Sequence, residues 1–470
     1  MHAPAPHVPP RPPVRSLPEE FPGAVWYGDE ELAAVTRVVR SRSPFRYYGP
    51  QCGSEVRQFE REFARFLASQ PGEPWPHDTP FEVTAVNSGT GALEVALDAL
   101  GVGAGDEVVV QGFMWISSIS AIVRSRAIPV LADSDDTLNM DPAALRRVVT
   151  PRTKVVMPVP MMGGCARIGA LMAEVRALNA ERAAAGLPRL HVLEDCAQAV
   201  GAHAWGAPGS VEAHGSDALH RVGTFGDAGI FSLQINKNIT AGEGGMIVCR
   251  DPQLARRIEA LHNAGYARSG GPQRNWYGDV PVGWGHGRRM TELQGAVARA
   301  QLGKLDRILA HMRASHARLE RRVADLGLLP RPRADAAHPG DTGYYCLYRL
   351  PPGPVAEDAK IARGRRLAAA LEAWRLHPWF LHDFEVHVYY NVEALVERLP
   401  LNNGGPWDGA PPRRYARGAL PRLDEQLITT LGINVPSRLT TEQEAHVAEV
   451  LAYVHRADEA GLLDPSPPAP

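Results

Sequence analysis

The sequence predicts an α/β fold, in which a mainly parallel sheet is covered by helices on both faces and is followed by a smaller C-terminal α+β domain. Short apolar runs such as "KVVMPV" alternate with helical patterns through the first half of the chain, and continuous apolar runs are typical of strands buried on both faces. From about Leu326 onwards, strands and helices are mixed without that alternation. The 470 residues, 44% hydrophobic and 22% charged, suffice for two or three globular domains.

The predicted elements begin with a helical region from Trp26 to Ser69, which the turn-like "RYYGPQCGS" interrupts. Five strands follow: "FEVTAV", "DEVVVQG", "AIPVLAD", "TKVVMPVPM" and "LHVLED". The helices between them are "GALEVALDAL", "ISSISAIVRS", "DPAALRRVV", which Asp141 opens, and "IGALMAEVRALNAERAAAG", which Gly186 closes. The runs "DAGIFSLQ" and "GGMIVCR" bring the sheet to seven strands, and a long helical stretch starts near Met290.

This order divides the chain into three parts. Residues 1–25 are rich in proline and are predicted to form a disordered tail, because proline favours an extended, poorly packed chain. Residues 26–310 form the predicted large domain, including the N-terminal helical segment, and residues 311–470 form the small C-terminal domain. Residues 207–220 and 402–418 have the composition of surface loops.

Composition and charge argue against several classes of protein. The net charge of −2 gives no general attraction to nucleic acid or to an anionic membrane. No apolar run reaches the roughly 18 residues of a membrane-spanning helix, and the N-terminus lacks the apolar core of a signal peptide. The five scattered cysteines contain no CxxC pair, which predicts reduced thiols, a cytoplasmic location and no metal site.

Residues with chemical potential follow several predicted strands, and ligands of open α/β sheets bind at the carboxyl ends of strands. In "NSGTGAL", Gly89, Thr90 and Gly91 place backbone N–H groups at a helix N-terminus. That arrangement suits a phosphate, although ordinary turn chemistry explains the same residue types. Trp115, in "QGFMWISS", stands where the next helix begins. It is either a core side chain or a flat surface that stacks on a ring-shaped cofactor.

Two charged residues follow later strands. Asp195, in "HVLEDCAQA", is either a helix N-cap or a buried carboxylate that needs a cationic partner, such as a protonated pyridine nitrogen. Lys237, in "FSLQINKNITAGEGGMIV", is one of only four lysines among the 50 lysine and arginine residues. Lysine is usually a surface residue, but a desolvated amine can lose its proton and form a Schiff base, which arginine cannot. Ser232 adds a hydroxyl for a phosphate.

Together, these residues supply a phosphate cradle, an aromatic plate, an acid for a ring nitrogen and an amine for a Schiff base. Pyridoxal 5'-phosphate (PLP) needs these four features, and its capacity as an electron sink depends on a protonated ring nitrogen. The combination is much more specific than any one of its members. The sequence therefore predicts a PLP-dependent enzyme.

The motifs also carry a family resemblance. With "TPRTKVVMPV", "LEDCAQAVGA" and "RRMTELQGAVARAQLGKLD", the sequence from about Trp26 to Ala452 resembles the DegT/DnrJ/StrS-type sugar aminotransferases, which are fold-type I PLP-dependent enzymes. The resemblance implies that the large domain binds PLP on a seven-stranded sheet. It further implies that Lys237 is the Schiff-base lysine and that Asp195 pairs with the pyridine nitrogen.

The remaining cofactor contacts follow from the same resemblance. Gln198 is expected to contact the phenolic oxygen of the ring, and Trp115 to stack on the ring. Ser232 is expected to hold the phosphate together with the backbone of Gly89 and Thr90.

The resemblance also implies a reaction and an assembly. An amino acid donor, glutamate or glutamine, gives its amino group to a keto-sugar, possibly nucleotide-linked, or to a cyclitol ketone. Lys237 is expected to move the proton between carbon and cofactor. The family forms homodimers in which the neighbouring subunit completes each active site. Such enzymes serve amino-sugar, antibiotic or polysaccharide biosynthesis.

One motif departs from the family. In its G-x-N-x-R-M run an asparagine reaches toward the partner's phosphate, but the run here is "GHGRRM" and Gly287 takes that position. Either Arg288, whose guanidinium suits phosphate, or His286 replaces the amide, or the site is looser or altered in function. Arg288 is the replacement that we predict to bind the cofactor.

Three alternative functions follow from the same residues. A dehydratase of this fold would carry histidine in place of Lys237, and a non-catalytic homologue has only Gly287 in its favour. A nicotinamide oxidoreductase would need a GxGxxG turn after the first strand, which this sequence lacks. The segment "HPWFLHDFEVHVYYN" (377–391) resembles the family branch that aminates larger keto-sugars.

Overall fold

A computed structural model gives the structure of the chain, and it describes residues 7–51, 54–70, 72–205, 219–265, 283–335, 340–351, 353, 356–408 and 413–466. The first nine strands are β1 (Glu82–Val86), β2 (Glu107–Gln111), β3 (Ile128–Ala132), β4 (Thr153–Met157), β5 (His191–Asp195), β6 (His203–Trp205), β7 (Leu219–Arg221), β8 (Ala228–Ser232) and β9 (Gly245–Cys249). Strands β6 and β7 pair only with each other, and the other seven form one large sheet.

The large sheet has the strand order β1-β9-β8-β5-β4-β2-β3. Strands β3, β2, β4, β5 and β8 are parallel to one another, whereas β9 is antiparallel to both of its neighbours, β1 and β8. The mainly parallel seven-stranded sheet that the sequence predicts is therefore confirmed. Because β1, β2, β5 and β8 run in one direction, their carboxyl ends meet at the same edge of the sheet.

Helices cover both faces of this sheet. They are α1 (Asp29–Ser41), α2 (Glu55–Ala68), α3 (Gly89–Ala99), α4 (Ile116–Arg124), α5 (Pro142–Val148), α6 (Ile168–Ala184), α7 (Pro252–His262), α8 (Glu292–Leu302) and α9 (Leu305–Asp325). Successive side chains of a strand point to opposite faces. Accordingly, Val109 packs in the core that α2 and α6 share, whereas Val108 and Val110 pack in the core of α3, α4 and α7.

One predicted helix end agrees with the structure, and one predicted helix is divided in two. Asp141 caps α5, where its Oδ1 accepts a hydrogen bond of 3.0 Å from the Ala143 N–H. The long helical stretch from Met290, however, consists of two helices, because Gly303 and Lys304 separate α8 from α9. Glycine is a poor helix former, and here it forms the C-cap of α8.

The C-terminal part of the chain builds a second, antiparallel sheet with the order β10-β11-β13-β12. Its elements are β10 (Leu329–Pro330), β11 (Tyr345–Arg349), α10 (Glu357–Ala373), β12 (Pro378–Phe380), α11 (Glu393–Val396), α12 (Pro421–Leu427), β13 (Thr430–Asn434) and α13 (Thr441–Glu459). The predicted domain boundary after residue 310 falls within α9 and stays a prediction.

Two segments outside these elements bear on the site. After β12, the chain forms short 3₁₀ turns and docks on the loop after β2, where the Met114 N–H donates to the His387 carbonyl at 3.0 Å. Residues 7–23, which lie within the predicted disordered tail, have defined contacts: the Trp374 indole N–H, for example, donates to the Pro12 carbonyl at 2.9 Å. Of the two predicted surface loops, residues 207–218 and 409–412 lie outside the described residues.

Candidate active site

A cavity of about 580 Å³ opens where the carboxyl ends of the parallel strands meet the small domain. Strands β1, β2, β5 and β8 all end beside it. Seven of the eight residues that the sequence predicts for the site line this cavity; they are Gly89, Thr90, Trp115, Asp195, Gln198, Ser232 and Lys237. The fold thus brings together residues that are up to 148 positions apart in the sequence, from Gly89 to Lys237.

The N-terminus of α3 forms one wall of the cavity. Ser88 caps this helix, because its Oγ accepts a hydrogen bond of 3.0 Å from the Gly91 N–H. A Cβ atom on Gly89 would lie only 2.9 Å from the Cβ of Ser232, so a larger residue would crowd the end of β8. The Thr90 hydroxyl lies 2.8 Å from the Ser117 hydroxyl. The wall therefore combines small residues, hydroxyls and a helix N-terminus, which suits a phosphate.

Asp195 is buried at the end of β5, with 3% of its surface exposed. Its Oδ2 accepts a hydrogen bond of 2.7 Å from the Ser118 hydroxyl, and its Oδ1 accepts one of 3.2 Å from the Ala197 N–H. Burial raises the pKa of Asp195, while these two donors and the charge of Lys237 lower it in part. A cationic group in the cavity would stabilise the ionised carboxylate further.

Lys237 has a buried amine with a lowered pKa. Burial lowers the pKa of Lys237 to about 8, against the opposing charges of Asp195 and Glu243. Among the described residues, no acceptor lies within hydrogen-bonding distance of its Nζ. The backbone is held firmly, because the Lys237 N–H donates to the Gln234 carbonyl at 2.9 Å and the Lys237 carbonyl accepts from the Gly23 N–H at 3.1 Å. A buried amine with a lowered pKa has the properties that a Schiff-base lysine needs.

Gln198 and Trp115 lie on other sides of the same cavity. The Gln198 Oε1 accepts a hydrogen bond of 2.8 Å from the Met162 N–H, which fixes the orientation of the amide. Trp115 precedes α4 and keeps 41% of its surface exposed, an unusual fraction for so large an apolar side chain. An exposed ring at a cavity wall is free to stack on a flat ligand.

The structure adds site residues that the sequence did not single out. Ser117 and Ser118 contact Thr90 and Asp195, and both stand in the quoted "QGFMWISS", so their place after Trp115 was the available signal. His387 is a further site residue that the sequence did not indicate, apart from its place in an aromatic-rich segment. Its ring stacks on that of Phe384 at 3.9 Å between centroids.

His387 closes the cavity beside Trp115, with 4.7 Å between the ring centroids. Burial, and then the positive charge of Lys237, lower the pKa of His387 to about 4, so the imidazole is neutral at ordinary pH. The Phe384 backbone opposes this shift in part, but no hydrogen bond of good geometry satisfies the buried Nδ1 among the described residues. A neutral imidazole has one donor and one acceptor nitrogen, and this ring lines the cavity.

Arg288, the eighth predicted residue, does not line the cavity. Its guanidinium forms an ion pair with Glu94 on α3, and His286 pairs with Asp98 on the same helix at 2.7 Å. Gly287 between them adopts a positive φ of 66°, a conformation that glycine adopts without strain. Both candidates for the missing amide therefore contact α3 of their own chain, and a role of Arg288 at a partner's phosphate stays a prediction.

Comparison with known proteins identifies the family. The sequence pattern of the DegT/DnrJ/EryC1/StrS aminotransferase family matches residues 27–355, which is more than half of the chain.

The chain belongs to this family.

Individual relatives agree with that assignment. The chain is 37% identical over 455 residues to the L-glutamine:2-deoxy-scyllo-inosose aminotransferase of Streptomyces kanamyceticus. The aligned residues cover 94% of this chain and 92% of the relative. It is 34% identical to the 3-amino-5-hydroxybenzoate synthase of Amycolatopsis mediterranei over 81% of this chain and 88% of the relative. A crystal structure of 3-amino-5-hydroxybenzoic acid synthase matches with a TM-score of 0.70 at 29% identity, over 94% of this chain and 99% of the other.

This DegT/DnrJ/EryC1/StrS family member is a PLP-dependent aminotransferase with the fold-type I architecture. The cavity fits the cofactor on its own evidence: a helix N-terminus lies beside small residues, a buried carboxylate has a raised pKa, and a buried amine has a lowered one. Among the described residues, no group of three metal-binding side chains occurs. None of the described helices combines the length and apolar character needed to cross a membrane.

Proposed function

We propose that this enzyme transfers the α-amino group of L-glutamine to the ketone of a polyhydroxylated carbocycle, a cyclitol, in the biosynthesis of an aminoglycoside-type antibiotic. The support from sequence is that several relatives carry the name L-glutamine:2-deoxy-scyllo-inosose aminotransferase, from S. kanamyceticus, Streptomyces lividus and other species. The cavity gives independent support through its charge.

The charge of the cavity is the observation that carries the choice of acceptor. Among the described residues that line it, Lys237 is the only lysine or arginine, whereas Glu20, Asp195 and Glu243 are acidic. A nucleotide-linked sugar brings a diphosphate, which proteins usually bind with arginine or lysine. An uncharged polyol needs no such cation. The cavity walls therefore favour a cyclitol ketone over a nucleotide-linked keto-sugar.

The residues of this chain have distinct roles in the proposed reaction. When bound, PLP withdraws electrons from the substrate carbon that loses or gains a proton. The N-terminus of α3, with Gly89 and Thr90, and the Ser232 hydroxyl would hold the phosphate. Asp195 would accept a hydrogen bond from the pyridine N–H, Gln198 would contact the phenolic oxygen, and Trp115 would cover one face of the ring.

Lys237 carries the proton. Its amine, whose pKa is lowered to about 8, is the group that would hold the aldehyde end of PLP. When it is not so engaged, the same amine would accept a proton from the substrate and return it. A base with a pKa near the working pH has both protonation states accessible, which this two-way transfer requires. His387, neutral and beside this amine, is placed to accept or donate a hydrogen bond to the substrate.

We further propose that the enzyme is a homodimer in which Arg288 of each chain approaches the phosphate in the partner's site. The first support is the family motif around "GHGRRM". The second is the ion pair of Arg288 with Glu94 on α3, because the N-terminus of this helix lines the cavity. Arg288 would have to exchange or share its present partner Glu94 on assembly.

The proposed function is tested by mixing purified enzyme, PLP, L-glutamine and 2-deoxy-scyllo-inosose. We expect an amine-containing cyclitol in the mass spectrum, and an absorbance change on adding L-glutamine alone. Borohydride reduction should fix PLP on the peptide that contains Lys237, and the matched variant Lys237→Ala should show neither the adduct nor turnover.

Two outcomes would contradict the proposal in different ways. Turnover of a nucleotide-linked keto-sugar without turnover of the cyclitol would overturn the acceptor. Spectral change with L-glutamate and none with L-glutamine would overturn the donor while leaving the aminotransferase chemistry intact.

A further inference from the structure

The N-terminal segment before α1 reaches the active-site cavity. From His7 it runs along the small domain, where Val8 and Leu17 pack on the core of β11, β13 and α13. The Tyr344 hydroxyl then donates a hydrogen bond of 2.6 Å to the Glu20 carbonyl. Three residues later, the Gly23 N–H donates to the Lys237 carbonyl. The segment is thus fixed on both sides of Glu20, and Glu20 and Phe21 form part of the cavity wall.

The Glu20 carboxylate is held in one orientation. Its Oε2 accepts a hydrogen bond of 2.6 Å from the Asn434 Nδ2. The Asn434 Oδ1 in turn accepts one of 2.8 Å from the Trp379 indole N–H. Because the indole is a donor only, it fixes which end of the Asn434 amide faces Glu20. The other carboxylate oxygen, Oε1, receives no hydrogen bond from any residue that the structure describes.

Aromatic side chains line the same cavity as this carboxylate. Tyr345, Trp379 and Phe384 line the same cavity, and the Trp379 and Phe384 rings lie 4.5 Å apart. Burial raises the pKa of Glu20, and the hydrogen bond from Asn434 opposes that effect. A desolvated acceptor beside apolar rings suits a ring-shaped polyol, whose hydroxyls donate hydrogen bonds and whose C–H faces pack against aromatic rings.

We propose that Glu20 determines acceptor specificity by accepting hydrogen bonds from ring hydroxyls of the ketone substrate. This inference rests on the proposed function, because it assigns the hydroxyl-binding residue for a cyclitol acceptor. It makes the proline-rich N-terminal segment a part of the substrate site. Glu20 is a specificity residue, whereas Asn434 and Trp379 position it.

The test compares Glu20→Gln with Glu19→Gln in the PLP-loaded enzyme. Glu19 is exposed and adjacent, so its variant controls for the loss of one charge in the same segment. The enzyme is first converted to its amine form with L-glutamine. It is then reoxidised either by 2-deoxy-scyllo-inosose or by 2-oxoglutaramate, the keto acid of glutamine, which lacks ring hydroxyls.

For Glu20→Gln we expect the apparent second-order rate constant with the cyclitol ketone to fall about 10- to 100-fold, because a charged hydrogen-bond acceptor is lost. The rates with L-glutamine and 2-oxoglutaramate should stay within about 2-fold of wild type. Glu19→Gln should match wild type in all three reactions. An equal loss in all three reactions of Glu20→Gln would mean a general structural role, and no loss in any would mean no role; either result overturns the inference.

A binding measurement separates this inference from the proposed function. Should wild-type enzyme fail to aminate the cyclitol ketone, the proposed function is wrong, whatever Glu20 does. Calorimetric titration with myo-inositol, an unreactive polyol, then tests Glu20 directly. Binding to wild type and Glu19→Gln, but about 10-fold weaker binding to Glu20→Gln, supports the assignment. Equal binding to all three proteins, or no binding to wild type, overturns it.

Discussion

Lys237 illustrates how the fold, rather than the residue type, sets reactivity. The chain contains four lysines, and this one follows β8 and lines a cavity where burial opposes its charge. Nearby Asp195 and Glu243 favour the ammonium form, but desolvation outweighs them. The pKa of the amine is thereby brought close to neutral pH, which suits the roles of nucleophile and proton carrier that we propose for it.

The lowered pKa predicts how Lys237 reacts in the cofactor-free enzyme. The neutral, reactive fraction of the amine should rise with pH and reach its midpoint near pH 8, rather than near the ~10.4 of an unfolded chain. At pH 8, acetylation of Lys237 in folded protein should exceed that in urea-unfolded protein by about 100-fold after correction for access. Peptide mass spectrometry over a pH series measures both. A midpoint near pH 10 in the folded protein would contradict the lowered pKa.

His387 provides a second residue-level prediction. His387→Phe keeps an aromatic ring against Phe384 but removes both ring nitrogens, including the unpartnered Nδ1. We expect kcat/KM to fall about 10- to 100-fold while PLP still attaches to Lys237, because a substrate hydrogen bond is lost. Tyr390→Phe, a loss of one polar atom from the same segment, is the matched control and should retain wild-type kcat/KM. Equal activity of His387→Phe and wild type would exclude the role.

At the scale of elements, the start of α3 links folding to cofactor binding. Ser88 caps the helix and so stabilises the N-terminus that faces the predicted phosphate position. Asp251 caps α7 in the same manner, with its Oδ1 accepting from the Gln253 N–H at 2.8 Å. Strand β9, however, is antiparallel to β8, so α7 begins at the opposite edge of the sheet, away from the cavity.

These two caps allow a matched comparison. Ser88→Ala and Asp251→Ala should each lower the free energy of unfolding by about 1 kcal/mol, which urea titration of the cofactor-free proteins measures. Only Ser88→Ala should also weaken PLP binding, by about 2- to 10-fold, because α3 begins at the cavity and α7 does not. Equal PLP affinities of the two variants would indicate that the α3 cap stabilises the fold without shaping the phosphate site.

At the scale of the whole molecule, the charge of the "GHGRRM" segment bears on assembly. Arg288 and His286 both pair with acids on α3, and Gly287 between them has no side chain to extend. If Arg288 serves the partner's site, replacing Arg288 will inactivate the active site of the partner subunit. Replacing Lys237 will inactivate the active site of its own subunit. Subunit mixing distinguishes that arrangement from a role within one chain.

We expect mixed Lys237→Ala and Arg288→Ala subunits to recover activity that neither variant has alone. In a mixed dimer, the site that keeps Lys237 would receive Arg288 from the other chain, so about a quarter of all sites would be wild type after statistical exchange. Assays before and after exchange by mild denaturation, with the mass measured by light scattering, test this. A dimer that exchanges subunits without recovering activity would place Arg288 in its own chain's site or outside catalysis.

The sequence alone predicted the large sheet and seven of the residues that line the cavity. The strands were identifiable because buried parallel strands are continuous apolar runs, and Asp195 and Lys237 stood out because charged residues at the ends of such strands need a chemical reason. The break between α8 and α9 was not identified, since one glycine in a helical pattern is often tolerated. Glu20 was not predicted as a site residue. A proline-rich sequence indicates an extended chain, but it does not indicate which surface of the protein that chain packs against.

What the sequence determined by itself was the α/β fold and the group of residues that match PLP. Both follow from local patterns: apolar periodicity, small residues at strand-to-helix turns, and a lysine where arginine is the rule. Only the tertiary structure placed His387 beside Trp115 and Glu20 beside Asn434. These pairs join segments more than 250 positions apart, and such contacts depend on how the small domain packs against the large sheet, which no local pattern encodes.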